Sequence, residues 1–403
     1  MTRIAITGLG QISSLGHDVE AFWSSTKAGR SGIDAVGSEL RDQLNHKMAA
    51  EVRGYEPKRH FDHRQLNVLD RYSQFAIIAA REAVKQAKLD LSGPNAADTA
   101  VIAGTGSGGM TTLDDSYERM YGRDARVHPL TIPRYMISAA ASQISMELGI
   151  RGPCFSVASA CSTSNHALGV ALMMLRTGQA RFALAGGSEA SVVLGPMRAW
   201  EALRVISQDT CRPFCIDRTG MIVGEGAGIL VLETFESAEQ RGVPILAELA
   251  GFGFCADAGD LVQPALDGAV SSMQRALADG GVAPEEIDYI NAHGTGTKLN
   301  DKSETRAVRE VFGKQAEKLA MSSTKSMHGH CLGASGALEM IATVQAMREG
   351  IAPPTANFTN PDPDCDLDYV PNKSREMPIR AALSNSFAFG GLNAALVVRA
   401  APR

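Results

Sequence analysis

Four short segments carry side chains that could do nucleophilic and proton-handling chemistry. In Ser159-Ala160-Cys161-Ser162-Thr163-Ser164, a thiol sits between a strand-like run (154–158) and a helical run (162–177) that Gly178 caps. Such a thiol faces the unpaired N–H groups and positive end of the helix. That placement can bring a cysteine pKa from ~8.5 into the ~3.5–7.5 range, giving a thiolate at neutral pH. The segment suits a small buried thiol in a tight turn equally well. In Asn291-Ala292-His293-Gly294-Thr295-Gly296-Thr297, a histidine follows the strand-like run 287–290. Two glycines there let the backbone approach a ligand, and two hydroxyls can bond a polar extended molecule; a structural histidine is the plain alternative. Lys325-Ser326-Met327-His328-Gly329-His330 follows the run 319–323 and precedes an alanine-rich helix over 335–347. Its plain reading is a surface basic cluster, which is what we expect of His328. Asn385-Ser386-Phe387-Ala388-Phe389-Gly390-Gly391-Leu392-Asn393 sets an aromatic beside two glycines, suiting a flexible gate or a glycine bulge between strands.

These segments need a scaffold of strand ends. Many of the forty glycines follow β-branched or alanine-rich runs, as at 4–10, 99–109, 182–187 and 287–296. Short apolar strands ending in glycine turns and alternating with alanine-rich helices define an α/β protein with buried sheets. The pattern predicts helices over 71–87, 138–148 and 268–278. The best internal boundary is Arg241-Gly242-Val243-Pro244, dividing residues 1–243 from 244–403. Strand-like runs flank it at 226–233 and 245–255, and no sequence repeat is visible across it. A chain of 403 residues accommodates two domains or one large α/β unit.

Composition removes several classes of function. The net charge of -5 argues against nucleic acid, whose phosphates call for a basic patch. The apolar stretch 167–175 falls short of the ~20 residues a bilayer requires, so no membrane span is expected. Met1-Thr2-Arg3-Ile4 runs directly into a strand-like segment, and we expect no signal peptide. Seven scattered cysteines suit the reducing cytoplasm rather than a disulfide framework. Cys211 and Cys215 lack a neighbouring histidine or third cysteine and read as buried thiols, so no metal is expected.

The order Cys, then His-Gly-Thr-Gly-Thr, then Lys-x4-His resembles the β-ketoacyl synthase family, within the thiolase-like condensing enzymes. The resemblance runs from Ile4-Ala5-Ile6-Thr7-Gly8-Leu9-Gly10, through Gly-Met-Ile-Val-Gly-Glu-Gly-Ala-Gly at 220–228, to the Phe389-Gly390-Gly391 loop. It is closest to the branch that elongates longer acyl chains, including nodulation-type synthases. It implies the thiolase fold, two similar α/β halves in a five-layered αβαβα sandwich. It implies that Cys161 takes an acyl group from a carrier-protein thioester. His293 and His330 would bind the malonyl carbonyl and stabilise the enolate formed by decarboxylation. The backbone N–H groups of Cys161 and Phe389 would form the oxyanion hole, with Gly390 in the gate. Lys325 and its ion-pair partner Glu339 would order the site, and Thr295 and Thr297 would bond the phosphopantetheine arm. Asp301 and Glu304 would be structural. No diffusible cofactor is implied, the arm arriving on the acyl carrier protein.

Further expectations come from the same resemblance. Cys161 should be the most reactive of the seven thiols, alkylated first at neutral pH. Ser107, in the Gly104–Gly109 loop, and Thr131, contributed to the neighbouring subunit, would line the acyl pocket. Both are smaller than their counterparts in many relatives, implying a deeper tunnel. The apolar stretch 132–150 resembles the family's dimer region, so a homodimer is expected; a heterodimer with a chain-length factor remains open. Ala388, Leu392 and Lys298 depart from the residues common in the family, and the basic set for carrier docking is thin, around His63, Arg64 and Arg71. Chain-length factors generally lack the nucleophilic cysteine, and thiolases need a second C-terminal cysteine that this chain's Phe389 loop lacks. A cysteine hydrolase would leave His330 without a role, and a pure scaffold would form no acyl-enzyme.

Overall fold

The computed structural model of the chain describes residues 2–401. Its apolar runs form ten strands of one sheet: β1 (Ile4–Ser13), β2 (Thr99–Gly104), β3 (Cys154–Phe155), β4 (Phe182–Glu189), β5 (Gly226–Thr234), β6 (Ala247–Ala256), β7 (Tyr289–Asn291), β8 (Ala320–Ser322), β9 (Ala381–Ala388) and β10 (Leu392–Ala400). Their order is β8-β7-β9-β10-β6-β1-β5-β4-β2-β3. A short antiparallel pairing of β1 with β6, Ile4 opposite Leu249, joins the two halves. Outward from that seam, each half runs first strand, fifth, fourth, second, third. In each half the fourth strand is parallel to the second and antiparallel to the fifth. The duplication invisible in the sequence is explicit in the topology.

Strand side chains alternate faces, so each strand serves two cores. In β4, Phe182 and Leu184 enter an outer core, while Ala183 and Ala185 face the inner one. Helices α1 (Arg71–Gln86) and α2 (Ala139–Leu148) cover the outer face of the first half. Helices α3 (Thr163–Arg176), α4 (Leu266–Gly280), α5 (Lys298–Phe312) and α6 (Ser335–Glu349) follow along the chain. Of these, α4 and α5 cover the outer face of the second half, and α3 and α6 fill the middle layer between the halves. The result is five layers, αβαβα. Helix α6 is buried at every position from Ser335 to Met347, as a central helix must be. It packs closely because β5 offers Gly228, where a Cβ would stand 2.9 Å from that of Ala337.

Two boundaries differ from the sequence pattern. β3 is two residues long rather than 154–158, because the chain leaves the ladder toward Cys161. α3 begins at Thr163, after a 3₁₀ turn over Ala160–Ser162, and Gly178 follows it in the left-handed region at φ +69°. Among the described residues no helix is long and apolar enough to cross a membrane.

Candidate active site

Cys161 reaches its position through backbone strain. Ala160 has φ +48°, a left-handed conformation costing a non-glycine residue about 1–2 kcal/mol. The 3₁₀ turn over Ala160–Ser162 then leads directly into α3. The Cys161 side chain borders a cavity of about 340 Å³, which His293, His330, Thr295, Thr297, Phe387 and Phe389 also line. The expectation of a depressed thiol pKa is not met. Burial pushes Cys161 up to about 12, with the Glu189 carboxylate adding to the rise and the Lys325 cation opposing it. In this closed position desolvation outweighs the helix end.

His330 approaches from the second half. Its Nε2 lies 3.1 Å from Cys161 Sγ. On the other side of the ring, the Leu332 N–H donates to Nδ1 at 3.2 Å, and Ser335 Oγ lies 2.9 Å from the same nitrogen. An Nδ1 that accepts leaves the proton on Nε2, directed at sulfur. His293 stands across the cavity, its ring centroid 5.6 Å from that of His330 and the planes at 84°. Its Nδ1 is buried without a partner among the described residues. Burial, reinforced by the Lys325 charge, holds both rings well below the ordinary histidine pKa and therefore neutral. Glu304 fixes the His293 loop, accepting the N–H groups of His293 and Gly294 at 2.8 Å each. Asp301 accepts those of Phe214 and Gly296 and faces Arg218. Both acidic residues are structural, as read from the sequence.

Lys325 and Glu339 form an ion pair with both side chains fully buried. Burial raises the Glu339 carboxyl, and Lys325 opposes that rise. The surface reading of the Lys325 segment is corrected: Lys325–His328 is a wholly buried helical turn. His328 is inside, its Nε2 3.0 Å from Thr324 Oγ1, and it does not line the cavity.

Thr295 Oγ1 and Thr297 Oγ1 are 2.9 Å apart at the cavity wall. Phe389 faces Trp200, ring centroids 6.2 Å apart. Gly390 and Gly391 turn the chain at φ +81° and +67°. The turn is braced from outside: Gly390 N–H donates to Leu261 O at 2.8 Å, and Asp257 N–H to Gly391 O at 2.9 Å. Ser107 and Thr131 do not line the Cys161 cavity. Ser107 Oγ is 3.5 Å from Ser191 Oγ, and Thr131 Oγ1 donates to His128 O. Trp200, Asp257 and Leu261 line the cavity without having been singled out in the sequence. Trp200 is one of two tryptophans in the chain, the only signal it offered.

A buried cysteine behind the strained Ala160, two neutral imidazoles and a buried lysine held between duplicated α/β halves fit a condensing enzyme of the thiolase-fold class. Residues 1–238 match the family profile "Beta-ketoacyl synthase, N-terminal domain", and residues 246–359 match "Beta-ketoacyl synthase, C-terminal domain". The chain is 48% identical to nodulation protein E of Rhizobium sp. (strain N33), over 98% of this chain and 99% of that one. It is 38% identical to 3-oxoacyl-[acyl-carrier-protein] synthase 2 of Staphylococcus aureus (strain N315), over 98% of each. Among solved structures it is similar to the ishigamide ketosynthase/chain length factor, with TM-score 0.95, 37% identity and full coverage of both chains. It is also similar to a type II polyketide ketosynthase solved with its acyl-carrier protein, with TM-score 0.90, 30% identity and full coverage of both chains. The chain belongs to the β-ketoacyl synthase family, the acyl-transferring condensing enzymes.

Proposed function

We propose that this chain extends a carrier-bound acyl chain by two carbons, using Cys161 as nucleophile and His293 and His330 as hydrogen-bond donors. The supporting observation is the His330 Nε2–H set 3.1 Å from Cys161 Sγ, with a second neutral imidazole across the same cavity. The Cys161 thiol gives up its proton as its sulfur attacks the acyl thioester carbonyl, the C–S bond to the arm breaks, and the departing arm thiolate takes up that proton. The backbone N–H groups of Cys161 and Phe389 hold the oxyanion. A malonyl thioester then occupies the cavity with its carbonyl on the two imidazoles. The bond to the carboxylate breaks, carbon dioxide leaves, and the electron pair stays as an enolate. Its carbon attacks the acyl-Cys161 carbonyl, the C–S bond breaks, and the released Cys161 thiolate takes a proton from water. Neutral imidazoles suit this step, since a donor is needed and no proton need leave the ring. Burial keeps them neutral, and Lys325, paired with Glu339, reinforces it.

In this reading Thr295 and Thr297 bond the pantetheine arm, so the partner is an acyl carrier protein and no diffusible cofactor takes part. Ser107 and Thr131 line the far acyl pocket once a second subunit adds its wall. The halves divide at residues 1–243 and 244–403, a division supported by the repeated strand order. Seven free thiols support a cytoplasmic setting. Exposed Ile132, Ile137 and Met146 support a dimer. The similarity to a ketosynthase/chain length factor keeps a heterodimeric partner as the second reading. Intact-mass analysis after incubation with a ladder of acyl-carrier thioesters tests the proposal. The wild type gains one acyl mass and Cys161→Ala gains none; an acyl adduct on Cys161→Ala overturns the mechanism.

A further inference from the structure

One buried carboxylate takes no part in the chemistry above and has no cation against it among the described residues. Glu189, the last residue of β4, is fully buried. Its four hydrogen bonds all come from neutral donors. Oε2 accepts the Gly106 N–H at 2.7 Å and the Gly333 N–H at 3.0 Å. Oε1 accepts the hydroxyls of Thr105 at 3.1 Å and Ser191 at 3.2 Å. A carboxylate buried this way carries a desolvation penalty that an apolar side chain would avoid. Burial does raise its pKa, against those four donors.

What it holds explains its position. Gly333 directly follows Leu332, which has φ +45°, strained for a branched residue. The Leu332 N–H is the group that donates to His330 Nδ1. A continuous line therefore runs from Glu189 through the Gly333 N–H to the Leu332 turn, to Nδ1, and out through Nε2–H to Cys161 Sγ. The same oxygen that holds Gly333 holds Gly106. A Cβ on Gly106 would stand 3.0 Å from it and 3.8 Å from the carbonyl of strained Ala160.

We propose that Glu189 is a positioning residue: its carboxylate pins the strained Leu332 turn through the Gly333 N–H, and so keeps the His330 proton on Nε2, facing the thiol. This rests on the condensing role assigned to His330 and adds the group that sets its tautomer.

The test uses the full chain and three variants. Glu189→Ala removes the acceptor. Glu189→Asp keeps the charge but draws the oxygens back by one methylene, and serves where the alanine variant does not fold. Glu189→Gln is the rescue, since its amide oxygen can take both backbone N–H groups while its NH₂ meets two hydroxyls that rotate to accept. Two-bond ¹⁵N–¹H correlation of His330 reports the tautomer without any substrate. The Nε2–H pattern is expected in wild type and Glu189→Gln, and a mixed pattern in Glu189→Ala and Glu189→Asp. Malonyl-carrier decarboxylation should fall about tenfold more than acyl transfer to Cys161 in the two loss variants, the scale of one lost buried hydrogen bond. An unchanged His330 pattern in a folded Glu189→Ala or Glu189→Asp overturns the proposal. So does a Glu189→Gln as impaired as the alanine variant. Failure of the condensing reading looks different: the wild type would form no acyl-enzyme while the nitrogen pattern still responded to Glu189.

Discussion

At the scale of single residues, the balance that matters is between burial and hydrogen bonding at Cys161. Desolvation favours the thiol and prevails over the Lys325 cation and the residue's own N–H, which favour the thiolate, placing the pKa at about 12. Alkylation of Cys161 by iodoacetamide should therefore still be climbing with pH where an ordinary thiol of ~8.5 has levelled off. A plateau at or below that value would show the donors outweighing burial. Partly exposed Cys255 should then be labelled ahead of Cys161 at neutral pH, reversing the order expected from sequence. The histidines separate the half-reactions. The enolate exists only in decarboxylation, so His293→Ala and His330→Ala should each slow carbon dioxide release more than acyl transfer. Each lost donor costs ~2.7–4 kcal/mol on the scale of an oxyanion-hole deletion. Equal loss of both steps, measured separately, would mean a collapsed site. The types and order of these residues were readable because each reactive group lies in a local motif of glycines and hydroxyls. Their environment was not: His328 and His330 are two positions apart, and only the packing of the second half sends one into the core and the other to the thiol.

At the scale of elements, the site is assembled from strand ends and helix starts far apart in the chain. Lys325 follows β8, while Glu339 sits on the central helix α6, so their pair ties a loop to the middle layer. Removing one member leaves a buried charge unpaired. Lys325→Met should cost about 3–5 kcal/mol of stability by denaturant unfolding. Lys325→Met with Glu339→Leu should restore most of it, because a buried pair replaced by packed apolar groups is often near neutral. Decarboxylation should not return fully with stability, since Lys325 no longer reinforces the burial that keeps both imidazoles neutral. A double variant that regains full activity would assign the pair a packing role alone. Element types were legible from periodicity: α6 showed as an alanine-rich run and α3 as a helix closed by Gly178. Their ends were less so, because the Ala160–Ser162 turn is held by strain and long-range contacts, and no propensity in its residues announces it.

At the scale of the whole molecule, the two halves share one fold that the sequence conceals. The repeat lives in strand order, which tolerates different side chains as long as each strand keeps apolar residues on both faces. Glu189 escaped notice for a related reason: at the end of an apolar strand it reads as a solvated turn residue, and only the closure of two loops 83 and 144 residues away buries it. One open apolar surface lies at the far edge of the first half. β3 ends the sheet there with both residues exposed, Phe155 at 40%. Ile132 at 62%, Ile137 at 45% and Met146 at 64% are likewise uncovered. An unpaired edge strand beside exposed apolar side chains invites a second chain. A two-fold partner covers both features with one self-complementary surface. Light scattering at micromolar concentration should therefore report a dimer of this chain. Met146→Glu with Phe155→Lys should yield folded monomers, with acyl transfer from long-chain thioesters failing before transfer from short ones, because Thr131 would no longer reach the neighbouring pocket. A wild-type monomer contradicts this arrangement. A wild type that dimerises and turns over only with a second, different chain places it instead with the ketosynthase/chain length factor pairs.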